Sequence, residues 1–512
     1  MDTRKIDYNL ILIGLFSFFL FSLNIGGVSI FSLDEAKNAS CAREMLESKN
    51  FIVPTFNYEL RTDKPPLHYY FMMLSYLIFG VSEFSARFFS SVFGSLTVMI
   101  TYVFSKKIFS TKTAILSTIV LISSLHFVFQ FHMAVPDPYL IFFINLAFFS
   151  FYLFYKFKEE KYLWTLYATL GFGMLAKGIV AIVLPFFIIF AFLFSAEKSI
   201  SVIKSLKLHK GLILTALISL PWYVLVSIET NFQWTKEFFL KHNISRFTDP
   251  MEGHGGVFLI TILFVLIGML PFSIFTYQSV KETLKNRLNP DYLYLGLIVL
   301  IYTGFFSISK TKLPNYTAPV YPAFAILLSL TLLKIRNYLF SLIFYLIFTA
   351  SLPFVLYIIL KNDKNLYLLA NYSFYFLILA VGGLSALIYF KDIKKVILSL
   401  FISSVAMSIT LYTVILPEID KYSSVRIILN YMEKDRPVGY YKRYNPAFSF
   451  YLKKKIIPLN SKQDVENFIK SGRVYILTRD EYLEELKDIK DLKVIIQKKD
   501  LFENSVSVLI SN

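Results

Sequence analysis

Long runs of apolar residues with almost no charge recur along most of the chain, separated by short polar segments. A run of roughly 18 or more such residues crosses a hydrocarbon core as a helix, whose backbone bonds to itself where no water is available. The pattern predicts about thirteen membrane spans, near 8–31, 86–105, 113–131, 138–155, 162–176, 178–196, 211–229, 257–277, 291–309, 315–333, 338–360, 371–390 and 396–416. The segment 67–80 is apolar but short and follows Pro65-Pro66, which predicts a re-entrant or interfacial helix. The first run follows Arg4 and Lys5, as a signal peptide would. It lacks a small-residue cleavage site and leads straight into a polar loop, so it reads as an uncleaved span.

After Pro417 the pattern shortens. Residues 418–512 are rich in Lys, Asp and Glu, with β-rich runs at 438–441, 456–459, 473–478, 493–497 and 505–510 and helical patterns between them. Such alternation predicts a small α/β domain. Ser461 stands before an acidic first turn as a cap. No catalytic constellation is visible there, so the tail reads as a packing or lid domain. The expected organisation is a polytopic α-helical membrane domain at 1–416, with a first outer loop at 32–85, and a soluble α/β domain at 417–512.

Composition agrees: 56% of residues are hydrophobic and 18% aromatic, against about 45–50% apolar for soluble domains. The net charge of +17 is explained by orientation. With the N-terminus inside, alternate loops carry Lys106, Lys107 and Lys112; Lys156, Lys158 and Lys161; Lys198, Lys204, Lys207 and Lys210; Lys281, Lys285 and Arg287; Lys334 and Arg336; and Lys391, Lys394 and Lys395. Basic loops face the cytoplasm. An odd number of spans then puts the tail outside, and no nucleic-acid partner is implied. The single cysteine, Cys41, excludes an intrachain disulfide and reads as a small core residue.

Under this topology the outer loops gather polar clusters on one side. The first holds Asp34-Glu35, Arg43-Glu44 and Asp63-Lys64-Pro65-Pro66; the second, His132 to Asp137-Pro138; the third, Arg246 and Glu252-Gly-His254; the fourth, Lys310, Lys312 and Asn315-Tyr316. A short outer turn adds Lys177. Each has a plain reading alone: Asp137 as a helix cap, Lys310 and Lys312 as snorkelling anchors, Arg246 as a headgroup contact, His254 as a loop residue. Together they are carboxylates and cations on one face, and charges near membrane depth tend to be paired or functional. That chemistry suits transfer from a lipid-linked phosphate. Lys and Arg neutralise the leaving group, and a carboxylate orients or deprotonates an incoming hydroxyl. No Gly-rich nucleotide loop is present, so the sugar donor is expected to be lipid-carried rather than a nucleotide sugar.

The stretch from Asp34-Glu35 through Arg43-Glu44-Met45, followed by Val53-Pro54, Asp63-Lys64-Pro65-Pro66-Leu67 and Phe79-Gly80 to Arg87, resembles the N-terminal signature of bacterial aminoarabinose (4-amino-4-deoxy-L-arabinose) lipid A transferases. These are protein O-mannosyltransferase-like members of the GT-C membrane glycosyltransferases. Matches continue through Pro136-Asp137, Leu175-Ala176-Lys177-Gly178, Arg246-Phe247 with His254, and Ser309-Lys310-Thr-Lys312 to Tyr316. The resemblance implies a GT-C fold and inverting transfer from a polyprenyl (undecaprenyl) phosphate sugar at the outer face of the bacterial inner membrane. It implies catalytic roles for Asp34, Glu35 and Asp137, and a donor-phosphate contact for Lys64. Arg43, Lys177, Arg246, Lys310, Lys312 and Tyr316 are the further substrate-binding candidates. Asp63 and His254 fall where a divalent metal, Zn or Mn, binds in the aminoarabinose enzymes, with Asp63 one methylene shorter than the commoner Glu. Lipid A, another envelope glycan, or a protein Ser or Thr in the manner of an O-mannosyltransferase would each serve as acceptor. A transporter without covalent chemistry is the competing class, but no repeat of spans is visible and the charges lie in loops.

Overall fold

The computed structural model describes residues 6–30, 33–196, 200–245, 256–363, 366–433, 435–501 and 503–512. Every apolar run predicted to span the membrane holds helix. Among the described residues, seven helices are long and apolar enough to cross unaided: Glu83–Ile108, Asp137–Phe157, Val202–Glu229, Pro290–Ile308, Leu339–Lys361, Tyr367–Ile388 and Ile393–Asp420. Shorter apolar helices include Tyr8–Phe21, Thr111–Ser123 and Val180–Ala196.

Several runs depart from single α-helices. That at 113–131 breaks at Ser124 between Thr111–Ser123 and Leu125–Gln130, and that at 371–390 opens as the 3₁₀ turn Tyr367–Phe376. The first run ends at Phe21 rather than near 31, because Asn24 takes a left-handed turn (φ 55°) and gives its side-chain amide to the Tyr412 carbonyl at 2.7 Å. The run at 257–277 breaks between Ile260–Gly268 and Phe272–Lys285, which meet at 115°. The run at 315–333 opens as the 3₁₀ turn Pro314–Val320, where Pro314 and Pro319 deny backbone donors to an α-helix, and becomes α-helical over Tyr321–Leu332.

The first outer loop is a folded layer. Helix Leu33–Ser48 leads to a tight hairpin of Thr55–Phe56 with Glu59–Leu60, turned by Asn57 and Tyr58 at positive φ. Glu44 clamps that hairpin, accepting from the Asn57 and Tyr58 backbone amides at 2.9 Å each and from Thr55 Oγ1 at 2.8 Å. Helix Leu67–Phe79 follows Pro65-Pro66 and stops at Gly80 (φ 74°), which only glycine adopts freely. A Ser82–Ser85 capping box then starts Glu83–Ile108.

Beyond Leu416–Asp420 lies an α/β unit. Its five strands run in the order Ile457–Leu459, Val438–Tyr441, Tyr475–Arg479, Val506–Ser511, Lys493–Lys499; the first three are parallel and the last two pair antiparallel. Helix Lys462–Ile469 begins at the Ser461 capping box. The unit sits on the outer loop: Asn57 exchanges two 2.8 Å hydrogen bonds with the Ile456 backbone, and Phe448, Phe450 and Val425 pack with Ala36, Ala39 and Cys41. Burial pushes the Cys41 thiol up to about 12, as fits a core residue.

Candidate active site

Two helices joined end to end build half of the site. Asp137–Phe157 and Glu160–Lys177 form a hairpin turned at Lys158 (φ 57°), so residue 137 at the start of one meets residue 177 at the end of the other. Each charge also complements its helix dipole, an acid at an N-terminus and a cation at a C-terminus. Lys177 Nζ lies 2.6 Å from Asp137 Oδ1, and the Asn315 side-chain amide donates to the same oxygen at 2.9 Å. Tyr316 lies with its ring 5.0 Å from Lys177 Nζ.

The outer loop supplies the other half. Asp63, Lys64 and Pro65 join Asp137, Lys177, Asn315 and Tyr316 around a cavity of about 340 Å³, whose other walls are mostly apolar, with Ile179, Val180, Val183, Phe305 and Phe306 beside His242, Tyr302 and Ser309. Lys64 Nζ reaches back to Asp34 Oδ2 at 3.4 Å, and Arg61 Nη2 stands 3.5 Å from Asp34 Oδ1. Burial acts to raise the Asp34 carboxyl. Lys64, Arg61, Lys177 and Lys37 outweigh it and hold the group well below the usual carboxylate range, so it is ionised at neutral pH. Asp63 is lowered in the same way, burial being outweighed by Arg61, His242 and Lys64.

Not every predicted residue belongs here. Glu35 is fully buried and forms a bidentate pair with Arg87 at 2.6 and 2.8 Å, while accepting the Ala134 amide at 3.0 Å. Arg87 also donates to the carbonyls of Ile25, Val28 and Ser29. Glu35 is therefore a strut that pins the chain after the first helix, and its expected catalytic role is corrected. Arg43 is corrected likewise: it is 1% exposed, lies 2.8 Å from Glu47, and donates to the Ser449 carbonyl of the α/β unit. Lys312 is buried and donates to the Ser309 carbonyl, and Lys310 is exposed; neither lines the cavity. Arg246 and His254 lie outside the described residues.

Two residues beside the site were not singled out from the sequence, Arg61 and His242, and Asn315 stood in the fourth polar cluster without a role of its own. Arg61 stands two positions before Asp63-Lys64, and a cation so close to two outer-loop acids was the available signal. His242, at 3.7 Å from Asp63 Oδ1, had none, because the fold alone brings it there.

The described residues include only Asp63 of the expected metal pair, and its surroundings do not favour a divalent ion. Among them no three His, Cys, Asp or Glu groups come together, and Asp63 faces the Arg61 guanidinium at 3.4 Å. A metal on Asp63 would have to stand against that fixed charge and Lys64.

Comparisons with known proteins show what the chain is similar to. The profile of the family described as dolichyl-phosphate-mannose-protein mannosyltransferase matches residues 63–224. Two uncharacterized proteins of Aquifex aeolicus are 30% identical over 66% of this chain and 68% of their own, and 31% identical over 64% and 74%. An undecaprenyl phosphate-alpha-4-amino-4-deoxy-L-arabinose arabinosyl transferase of Wigglesworthia glossinidia brevipalpis is 29% identical over 64% of this chain and 58% of its own length. The crystal structure of ArnT from Cupriavidus metallidurans bound to undecaprenyl phosphate superposes with a TM-score of 0.83, covering 98% of this chain and 97% of that one at 18% identity.

Proposed function

Because this chain belongs to the aminoarabinose-transferase-like GT-C membrane glycosyltransferases, we propose that it moves a sugar from a polyprenyl-phosphate carrier to an envelope acceptor. The observation that carries this reading is the cavity itself. Cations from distant parts of the chain, Lys64 and Lys177, line one pocket whose other walls are mostly apolar. Such a pocket suits an anionic head on a hydrocarbon chain.

In this reading Lys64 and Lys177 take the negative charge that builds on the carrier phosphate as the sugar leaves, with Asn315 and Asp137 holding Lys177 in place. Asp34 faces the acceptor, whose oxygen attacks the anomeric carbon from the side opposite the phosphate and inverts it. A carboxylate held so far below its usual range is a poor proton acceptor. That favours an acceptor already anionic, such as a phosphate of lipid A, over a Ser or Thr hydroxyl that must lose a proton.

The site faces outward. Lys156 ends the 21-residue helix that Asp137 begins, about 30 Å away, and pairs there with Asp291 at 2.7 Å. Basic residues at that end mark the cytoplasmic side of a bacterial inner membrane, with both the N-terminus and the far side of the site assigned accordingly. Purified protein given an undecaprenyl-phosphate sugar should glycosylate lipid A, read by mass spectrometry. Transfer from a nucleotide sugar with no lipid carrier present would overturn the proposal, and glycosylated envelope proteins with unmodified lipid A would move the acceptor to Ser or Thr.

A further inference from the structure

We propose that the Arg61 guanidinium is the resident cation beside this cavity, standing between Asp34 and Asp63, the carboxylate to which the family resemblance assigns a divalent ion together with His254, so that the protein binds its carrier phosphate without a metal. The inference rests on the polyprenyl-phosphate reading above.

Arg61 is held in place from several directions. Its backbone amide donates to the Pro54 carbonyl at 2.9 Å, and its own carbonyl accepts from Trp234 Nε1 at 2.9 Å. Its guanidinium lies 5.9 Å from the Tyr69 ring centre, and the side chain is 4% exposed. The charge cannot swing out to solvent from there. Nη2 is 3.5 Å from Asp34 and Nε 3.4 Å from Asp63, and no guanidinium nitrogen makes a hydrogen bond among the described residues.

A buried guanidinium with open donors is costly to leave unfilled, so its donors call for oxygen atoms that the protein itself does not supply. Phosphate oxygens match its planar fork, and Lys64 stands beside it on the same carboxylate. Two carboxylates next to a phosphate would repel it unless a cation lies between them. Arg61 is already between them. A divalent ion at Asp63 would displace that cation or stand against it, and the shorter Asp side chain leaves the intervening space to the guanidinium.

The test uses the full chain in detergent, prepared without chelator. Wild-type protein should carry less than stoichiometric Zn and Mn by elemental mass spectrometry, and its affinity for undecaprenyl phosphate should not change with EDTA. Arg61→Ala should bind undecaprenyl phosphate about tenfold or more weakly, and Arg61→Lys should lose less. Added Zn²⁺ or Mn²⁺ should restore binding to Arg61→Ala and not improve the wild type, since the vacated space leaves Asp34 and Asp63 facing each other. A merely structural Arg61 would not create that metal dependence. Stoichiometric metal in the wild type, affinity lost on chelation, or Arg61→Ala binding like the wild type would each overturn the proposal. If Arg61→Ala fails to fold, the wild-type metal content and Arg61→Lys still decide it. If the wild type binds no undecaprenyl phosphate at all, the carrier reading falls, and metal content still judges Arg61.

Discussion

Among single residues, Asp34 and Lys64 touch each other yet serve different partners, and their variants should separate. Asp34→Asn should lower turnover while undecaprenyl phosphate binds no more weakly, because an acceptor-side carboxylate that positions the attacking group acts mainly in the transition state. Lys64→Ala should weaken undecaprenyl phosphate binding by about 1.5–3 kcal/mol, the usual worth of a hydrogen bond to a charged group. Titration of ligand into each variant, beside single-turnover rates, checks both. The pH dependence follows from the sign of the shift. Asp34 is lowered, so it stays ionised as pH falls, and kcat/KM should show no acid limb from it down to about pH 5. For the same reason Asp34 and Asp63 add stability at neutral pH, which is lost as pH drops below the ordinary carboxylate value. Glu35 differs from its neighbour Asp34 in being fully buried and paired with Arg87. Glu35→Gln leaves Arg87 charged without its partner and should cost about 3–5 kcal/mol, seen as a lower melting temperature in detergent. A normal melting temperature with lost activity would return Glu35 to the reaction.

The elements explain why residues far apart in sequence meet. The α-helical hairpin of Asp137–Phe157 and Glu160–Lys177 puts its first and last residues side by side, and the broken chain after Ile308 drops Asn315 onto the same oxygen. On the other side, the Thr55–Leu60 hairpin is held by Glu44 from below and by the α/β unit from above through Asn57 and Ile456. Asn57→Ala removes both of those bonds and the side chain that favours a positive φ. It should cost about 1–3 kcal/mol and loosen the α/β unit from the outer loop, which limited proteolysis of residues beyond 420 would detect. Because Arg61 follows this hairpin directly, the same variant should also weaken undecaprenyl phosphate binding. Unchanged proteolysis and binding would mean that the hairpin stands without the docked unit.

For the molecule as a whole, the proposed orientation rests on the polarity of its two ends. Lys106 with Asp7, Lys156 with Asp291 and Lys334 with Glu282 form ion pairs at the end opposite the cavity. A periplasmic reporter fused after Asn512 should be active, and a cytoplasmic one should be active after Lys161. The reverse pattern would put the cavity inside, where nucleotide sugars are available, and would remove the reason for a lipid-carried donor.

Much of this was legible along the chain. Apolar runs long enough to cross a bilayer leave the backbone no alternative to a helix, and alternation after residue 417 marks strands and helices because each element shows its own period. The acids and cations of the site were legible too, since Asp63-Lys64, Asp137 and Lys177 stand out against hydrocarbon. Which of them act together was not. Asp34 and Glu35 are adjacent and chemically alike, but a helix turns successive side chains about 100° apart, and only packing tells which one meets Arg87 and which one Arg61 and Lys64. Arg43 looked like a phosphate ligand until the α/β unit closed over it, and His242 became a neighbour of Asp63 only across the assembled fold. Charge identity is local and can be read residue by residue; charge environment is set by what long-range packing brings within a few ångströms.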